Sequence, residues 1–126
     1  MNGLIIKQPW IDFILDGKKI WEIRGSKTHK RGRIALIQSK SGLVLGECDV
    51  VDCILLNKES FEKNTEKHQV KGGFATGYKI TYAWVLKNPI QYNQPIEYKH
   101  PQGAVIWVKN AVQKELEKNN KQSKLF

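Results

Sequence analysis

The sequence predicts an α+β fold: a small, mostly antiparallel β-barrel decorated by two or three short helices. Three observations carry that prediction. Apolar, β-branched stretches of about five to eight residues recur along the chain, bounded by Gly, Pro and Ser clusters. Helical patterning is confined to short pieces, which decorate a barrel rather than build a bundle. The 126 residues contain no internal repeat and no linker, so they suit one domain. At this size a domain buries about two-thirds of the surface its unfolded chain exposes.

In chain order, Leu4-Ile5-Ile6 is a first strand, ended by Lys7-Gln8-Pro9. Pro9 suits the first turn of a helix, where its missing N–H would have no partner anyway. That helix carries Trp10, Ile11, Phe13, Ile14 and Leu15, leaves Asp12 and Asp16 for solvent, and stops at Gly17. Residues 20–24 alternate as a strand, with Glu22 and Arg24 on one face and Trp21 and Ile23 on the other, until Gly25-Ser26 ends it. Residues 33–38 hold Ile34, Ala35, Leu36 and Ile37 as a buried strand. Ser39-Lys40-Ser41-Gly42 then turns the chain into a hairpin with the long β-branched run Leu43–Leu56. Within that run, Gly46 reads as a bulge or bend of the kind barrel curvature needs.

Residues 58–68 are polar and helix-permissive, 71–77 form a glycine-rich loop, and 82–86 return to strand. Asn88-Pro89 and Gln94-Pro95 predict chain breaks. Residues 103–108 read as a last strand, 111–118 as a short helix and 119–126 as a polar tail. The domain therefore spans 1–110, with a C-terminal helix and basic tail at 111–126.

The formal charge is +9 and is unevenly placed. Residues 1–40 hold nine basic and three acidic side chains, whereas 41–55 hold three acids and no base. Concentrated positive charge favours an anionic partner, because neutralising phosphates releases counterions; high lysine content also serves solubility alone. No run of roughly 18 apolar residues occurs, and Met1-Asn2-Gly3-Leu4 does not open a signal peptide, so a cytoplasmic monomer with no membrane partner is expected. Cys48 and Cys53 lie five apart in one apolar segment, where a strand points them to opposite faces, so no disulfide between them is expected. His29, His68 and His100 are scattered, and neither a metal site nor a cofactor is predicted.

Function is most legible in residues 5–33. Gln8-Pro9-Trp10 places an aromatic beside a proline, and an exposed tryptophan stacks a base for about 1–3 kcal/mol. Trp21 and Trp107 are expected to pack in the core; Trp10, after a loop and a proline at the helix start, is the leading candidate for a cleft wall, with packing an alternative at least as good. Lys19 could hold phosphate as a compact charge. If burial and Arg24 lower its pKa, it could instead serve as a general base. Glu22, three residues on, could orient Lys19, accept from a base's exocyclic amine, carry a proton, or simply pair with Arg24. The stretch 24–33 holds five Lys or Arg and no acid, so Lys27, Lys30, Arg31 and Arg33 are candidate phosphate contacts. Ser39, leaving the next strand, is expected at the same end of the barrel.

These residues, in this order, resemble the ASCH domains (activating signal cointegrator homology), members of the PUA-like superfamily of small β-barrels. The resemblance covers roughly residues 3–109. It rests on Gln8-Pro9-Trp10, on the pattern Gly-x-Lys-x-x-Glu-x-Arg matched by Gly17, Lys19, Glu22 and Arg24, and on Arg31-Gly32-Arg33 before a strand. Tyr82-Ala83-Trp84-Val85-Leu86 and the closing Gly103 to Trp107 complete it. It implies an RNA- or nucleotide-binding domain with a ligand cleft beside the barrel, lined by Gln8, Pro9, Trp10, Lys19, Glu22, Arg24 and Ser39.

A few relatives are hydrolases, which implies a second reading with Lys19 and Glu22 catalytic. One bacterial branch of similar architecture deacetylates 4-acetylcytidine with a lysine, a threonine three residues later and a distal glutamate. Lys19 matches the lysine, but Glu22 stands at the threonine's place, and no glutamate falls at the expected distal offset. Without that hydroxyl an acyl-enzyme route is excluded, although a carboxylate could still activate water. Another branch resembles ribonucleases, for which Lys19, Tyr82 and Ser39 could supply a base and charge stabilisation.

Overall fold

The computed structural model describes residues 1–74 and 76–113. Six strands, β1 (Gly3–Ile6), β2 (Trp21–Arg24), β3 (Gly32–Gln38), β4 (Leu43–Leu56), β5 (Thr81–Glu97) and β6 (Trp107–Val108), form one sheet in the order β2-β5-β4-β3-β1-β6. Among the described residues, three short helices accompany them: α1 (Trp10–Leu15), α2 (Lys58–Glu62) and α3 (Thr65–His68). Only β1 and β3 run parallel; the other pairings are antiparallel.

The class is α+β, as the sequence predicts, but the ladder does not close into a barrel. Among the described residues, β2 pairs with β5 alone and β6 with β1 alone. The sheet is nevertheless curled. Trp84 of β5 stacks on Trp107 of β6 with centroids 5.9 Å apart, and Arg24 Nη2 of β2 donates to the Ile5 carbonyl of β1 at 2.8 Å. Both contacts join strands far apart in the sheet order. At four and two residues, the edge strands are too short to complete a ring, and the Arg24 side chain bridges the seam between β2 and β1.

Inside the curl, Leu4, Ile6, Ile34, Leu36, Cys48, Val50, Trp84 and Leu86 form one core cluster. Helix α1 plugs it with Ile11, Ile14 and Leu15, each worth about 1.5–3 kcal/mol on burial. Gly46 is what lets the plug seat, because a Cβ there would overlap the Ile90 carbonyl oxygen and the Leu15 side chain. The β3–β4 register shifts opposite this glycine, so the expected bulge is present. Both cysteines are free; burial pushes the Cys48 thiol up to about 12, which makes it inert. A second cluster joins Ala35, Ile37, Val44, Tyr92, Val108 and Val112 on the outer side of the sheet. The Met1 ammonium donates to the Val112 carbonyl at 3.0 Å.

A third cluster, Trp21, Leu56, Phe61 and Ala83, anchors the helical segment beside β2. Helix α2 opens with a reciprocal cap: Asn57 Oδ1 accepts from the Ser60 amide, and Ser60 Oγ accepts from the Asn57 amide.

Two expectations are overturned. Asn88-Pro89 and Gln94-Pro95 do not break the chain, since β5 runs from Thr81 to Glu97 through both. Each proline sits where the ladder asks for no donor: Asn88 and Pro89 face a single β4 residue between paired Lys87 and Ile90, and Pro95 lies in the excursion between Gln91 and Ile96 where β5 leaves the β4 register. Asn88 adopts φ 55°, a left-handed conformation that asparagine tolerates. The last strand is only Trp107–Val108, because residues 103–106 turn outward and expose Val105. The predicted helix at 111–118 and the tail lie outside the described residues from position 114 onward.

Candidate ligand-binding cleft

Lys19 reaches the seam because three elements hold its backbone. Gly17, at φ 87°, turns the chain out of α1, and the Lys19 amide donates back to the Phe13 carbonyl at 2.9 Å. The next residue, Ile20, donates to Lys67 O in α3 and accepts from Leu86 N in β5. The side chain is therefore aimed inward, at 2 % exposure. Its Nζ donates to the His68 carbonyl oxygen at 2.5 Å, lies 3.7 Å from Glu22 Oε1 and sits 5.0 Å over the Trp10 ring. Burial lowers its pKa to about 8; Glu22 opposes the shift, and Arg24 adds to it.

Glu22 is buried too, and its Oε2 accepts from Arg24 Nε at 3.1 Å and Nη2 at 2.8 Å. Arg24 also lies over the Trp84 ring at 5.6 Å, so one guanidinium ties the acid, the core and the far strand β1 together.

His68 was not a predicted site residue, and it supports the centre from below. The ring is fully buried and stacks on Phe61 at 4.0 Å. Its Nε2 lies 2.7 Å from Phe61 O, while Nδ1 accepts from Val70 N at 2.9 Å. A carbonyl only accepts, so the ring is the neutral Nε2–H tautomer. Burial lowers its pKa, in keeping with that state. The imidazole thus clips α3 to the following loop and fixes the carbonyl that Lys19 uses.

These side chains open onto a cleft of about 320 Å³ in the seam. Of the predicted ligand-binding residues, Trp10, Lys19, Glu22, Arg24 and Ser39 line it. Gln8 and Pro9 do not; Gln8 bonds Asp12 and Gln38 at the surface, and Pro9 precedes α1 as an exposed N-cap. Lys7, Val70, Thr76 and Tyr78 complete much of the wall and were not predicted. Tyr78 lies against Gly25, where a Cβ would overlap its ring, so that glycine admits the cover.

The four predicted phosphate contacts lie elsewhere. Arg33 donates to Asn88 O at 2.7 Å and pairs with Asp49 and buried Glu47. Arg31 bonds the Thr28 and Lys30 carbonyls and approaches Asp52. Lys27 is exposed and Lys30 half-buried in the same loop. Tyr82 is half-buried against the core and is not in the cleft lining.

The ASCH domain profile matches residues 4–96. Among solved structures, the chain is similar to ASCH from Zymomonas mobilis, with TM-score 0.68 and 16% identity over 97% of this chain and 93% of that one. A serine-to-alanine mutant of the same protein matches with TM-score 0.69 and 15% identity, covering 98% and 94%. A tyrosine-to-phenylalanine mutant matches with TM-score 0.69 and 14% identity, covering 96% of each. At such identities the likeness is one of fold. No curated protein matches the sequence.

Proposed function

Because the chain belongs to the ASCH domain family, whose PUA-like fold it shares, we propose that it binds RNA or a nucleotide in the Lys19 cleft. One observation carries this reading: a buried ammonium, an indole and a carboxylate–guanidinium pair converge on a single cleft of nucleotide size. The Trp10 ring offers a stacking face, Lys19 and Lys7 offer charge to a phosphate, and Glu22 Oε1 can accept from an exocyclic amine. Arg24 fixes Glu22 through its other oxygen, so the acid is better placed to orient than to shuttle protons.

The second reading is hydrolysis, of an N-acylated cytidine nucleoside or of RNA. It is favoured by Lys19 holding a pKa of about 8 in a cleft that also offers the hydroxyls of Ser39, Thr76 and Tyr78. In an RNA reaction, the neutral amine would take the ribose 2′-hydroxyl proton as the 2′-oxygen displaces the 5′-oxygen from phosphorus. The resulting ammonium would return that proton to the leaving 5′-oxygen, and Arg24 would offset the phosphorane charge.

One experiment separates the readings. Purified protein is incubated with 4-acetylcytidine and a mixed-sequence RNA oligomer, both followed by mass spectrometry, with Lys19→Ala as control. Intact substrates together with salt-sensitive, Lys19-dependent RNA retention are the expected result. Lys19-dependent deacetylation or strand scission would replace binding by the corresponding hydrolase activity. Equal retention by Lys19→Ala would remove Lys19 from the site.

A further inference from the structure

The Lys19 cleft does not end at Ser39. A second cavity of about 470 Å³ shares Ile5, Ser39 and Val105 with it and runs on to Lys40, Tyr98 and His100. The two cavities adjoin at these three shared residues, beside β1. Val105 stands between them at 76% exposure, which core packing does not explain.

The far cavity is chemically specific. The Tyr98 and His100 rings lie 5.8 Å apart at 63°. His100 Nε2 lies 2.8 Å from the Ala104 carbonyl, which only accepts, and Nδ1 lies 2.8 Å from the Tyr98 hydroxyl. The polar atoms of both rings are thus satisfied within their own loop, and what they can offer a ligand is ring surface. Lys40 adds a positive charge, and the lining contains no acid. The near cavity repeats the pattern with Trp10 and Lys7, likewise an aromatic and a cation.

We propose that the second cavity is a subsite for the adjacent nucleotide of a single-stranded polynucleotide whose first nucleotide occupies the Lys19 cleft. This rests on reading that cleft as a nucleotide site. An aromatic-plus-cation unit repeated in two adjoining cavities matches the repeated base-plus-phosphate of a strand, in which bases unstacked from a duplex lie on aromatic rings. Ser39, common to both cavities, sits where the linking phosphate would pass.

The test compares cytidine monophosphate, a mixed-sequence single-stranded RNA octamer and an RNA hairpin of the same composition, each titrated into the full chain. The variants are Tyr98→Leu, which keeps apolar bulk against its cluster, and Lys40→Gly, which suits the left-handed φ of 63° at that position. The octamer is expected to bind the unaltered protein more tightly than the monophosphate or the hairpin. Tyr98→Leu should weaken the octamer about 5- to 150-fold, the loss of one stacked base, and Lys40→Gly should lower the salt slope by about one. Monophosphate affinity should not change in either variant. If Tyr98→Leu fails to fold, His100→Ala, at an exposed position, serves the same comparison. Lys19-dependent monophosphate binding with no gain for the octamer, or with unchanged octamer affinity in both variants, overturns the subsite and leaves the first site standing. Loss of all Lys19-dependent nucleotide binding overturns both.

Discussion

Lys19 is the residue at which the two functional readings make opposite predictions. With a folded pKa of about 8, its charge is lost well below the ordinary lysine range. If the ammonium binds phosphate, affinity should fall as pH rises through about 8; if the amine is a base, kcat/KM should rise through the same pH. Titrating binding and turnover from about pH 6.5 to 9.5, with Lys19→Ala as blank, reads the sign directly. His68 yields a second prediction. Burial holds its pKa below the ordinary 6.5, so the stability its neutral form contributes is fully present above 6.5 and is lost as pH falls from there through the lower folded pKa. Urea midpoints should therefore decline between about pH 7.5 and 5.5, and His68→Gln should flatten that decline. A parallel decline in the variant would assign the effect to other groups. Motif spacing makes the place of Lys19, Glu22 and Arg24 in the cleft legible in the sequence, since each reaches it through its own side chain. His68 is not legible in this way, because it serves the site through a backbone carbonyl and lies 49 positions from the lysine it holds.

At the scale of elements, local pattern gives good boundaries where a residue's neighbours in sequence are also its neighbours in space. The run Leu43–Leu56 is a strand over its whole length, and α1 spans Trp10–Leu15 as its apolar spacing requires. Pro89 and Pro95 mislead because a missing N–H matters only opposite an acceptor, and the partner strand supplies that information. Residues 103–106 are apolar enough for a strand, yet they turn outward where the sheet ends. Gly46 carries the sharpest prediction here. Gly46→Ala would drive a methyl into the Ile90 carbonyl and Leu15, costing about 2–4 kcal/mol in a denaturation experiment. A cost below about 0.5 kcal/mol would mean that α1 is free to shift.

For the whole molecule, the +9 charge proves to be two populations that composition cannot separate. Arg33 is spent inside, against Glu47 and Asp49, whereas Lys27 faces solvent. Arg33→Ala should cost about 2–4 kcal/mol, because it takes a cation away from a buried carboxylate. Lys27→Ala should leave stability within about 0.5 kcal/mol. Thermal melts of the two variants check the contrast, and equal losses would contradict it. The α+β class and the family are readable from the order of short motifs. The open ladder is not, since closure depends on how two edges meet across the seam.

That seam has a consequence for how copies of the protein meet one another. Unpaired strand edges invite other strands to add on, which is how sheets polymerise. Here the seam edge of β2 is only four residues long, and the Arg24 guanidinium spans it to the Ile5 carbonyl of β1. A strand from a second molecule would have to displace that side chain to pair there, so the contact that bridges the seam also hinders self-templated addition.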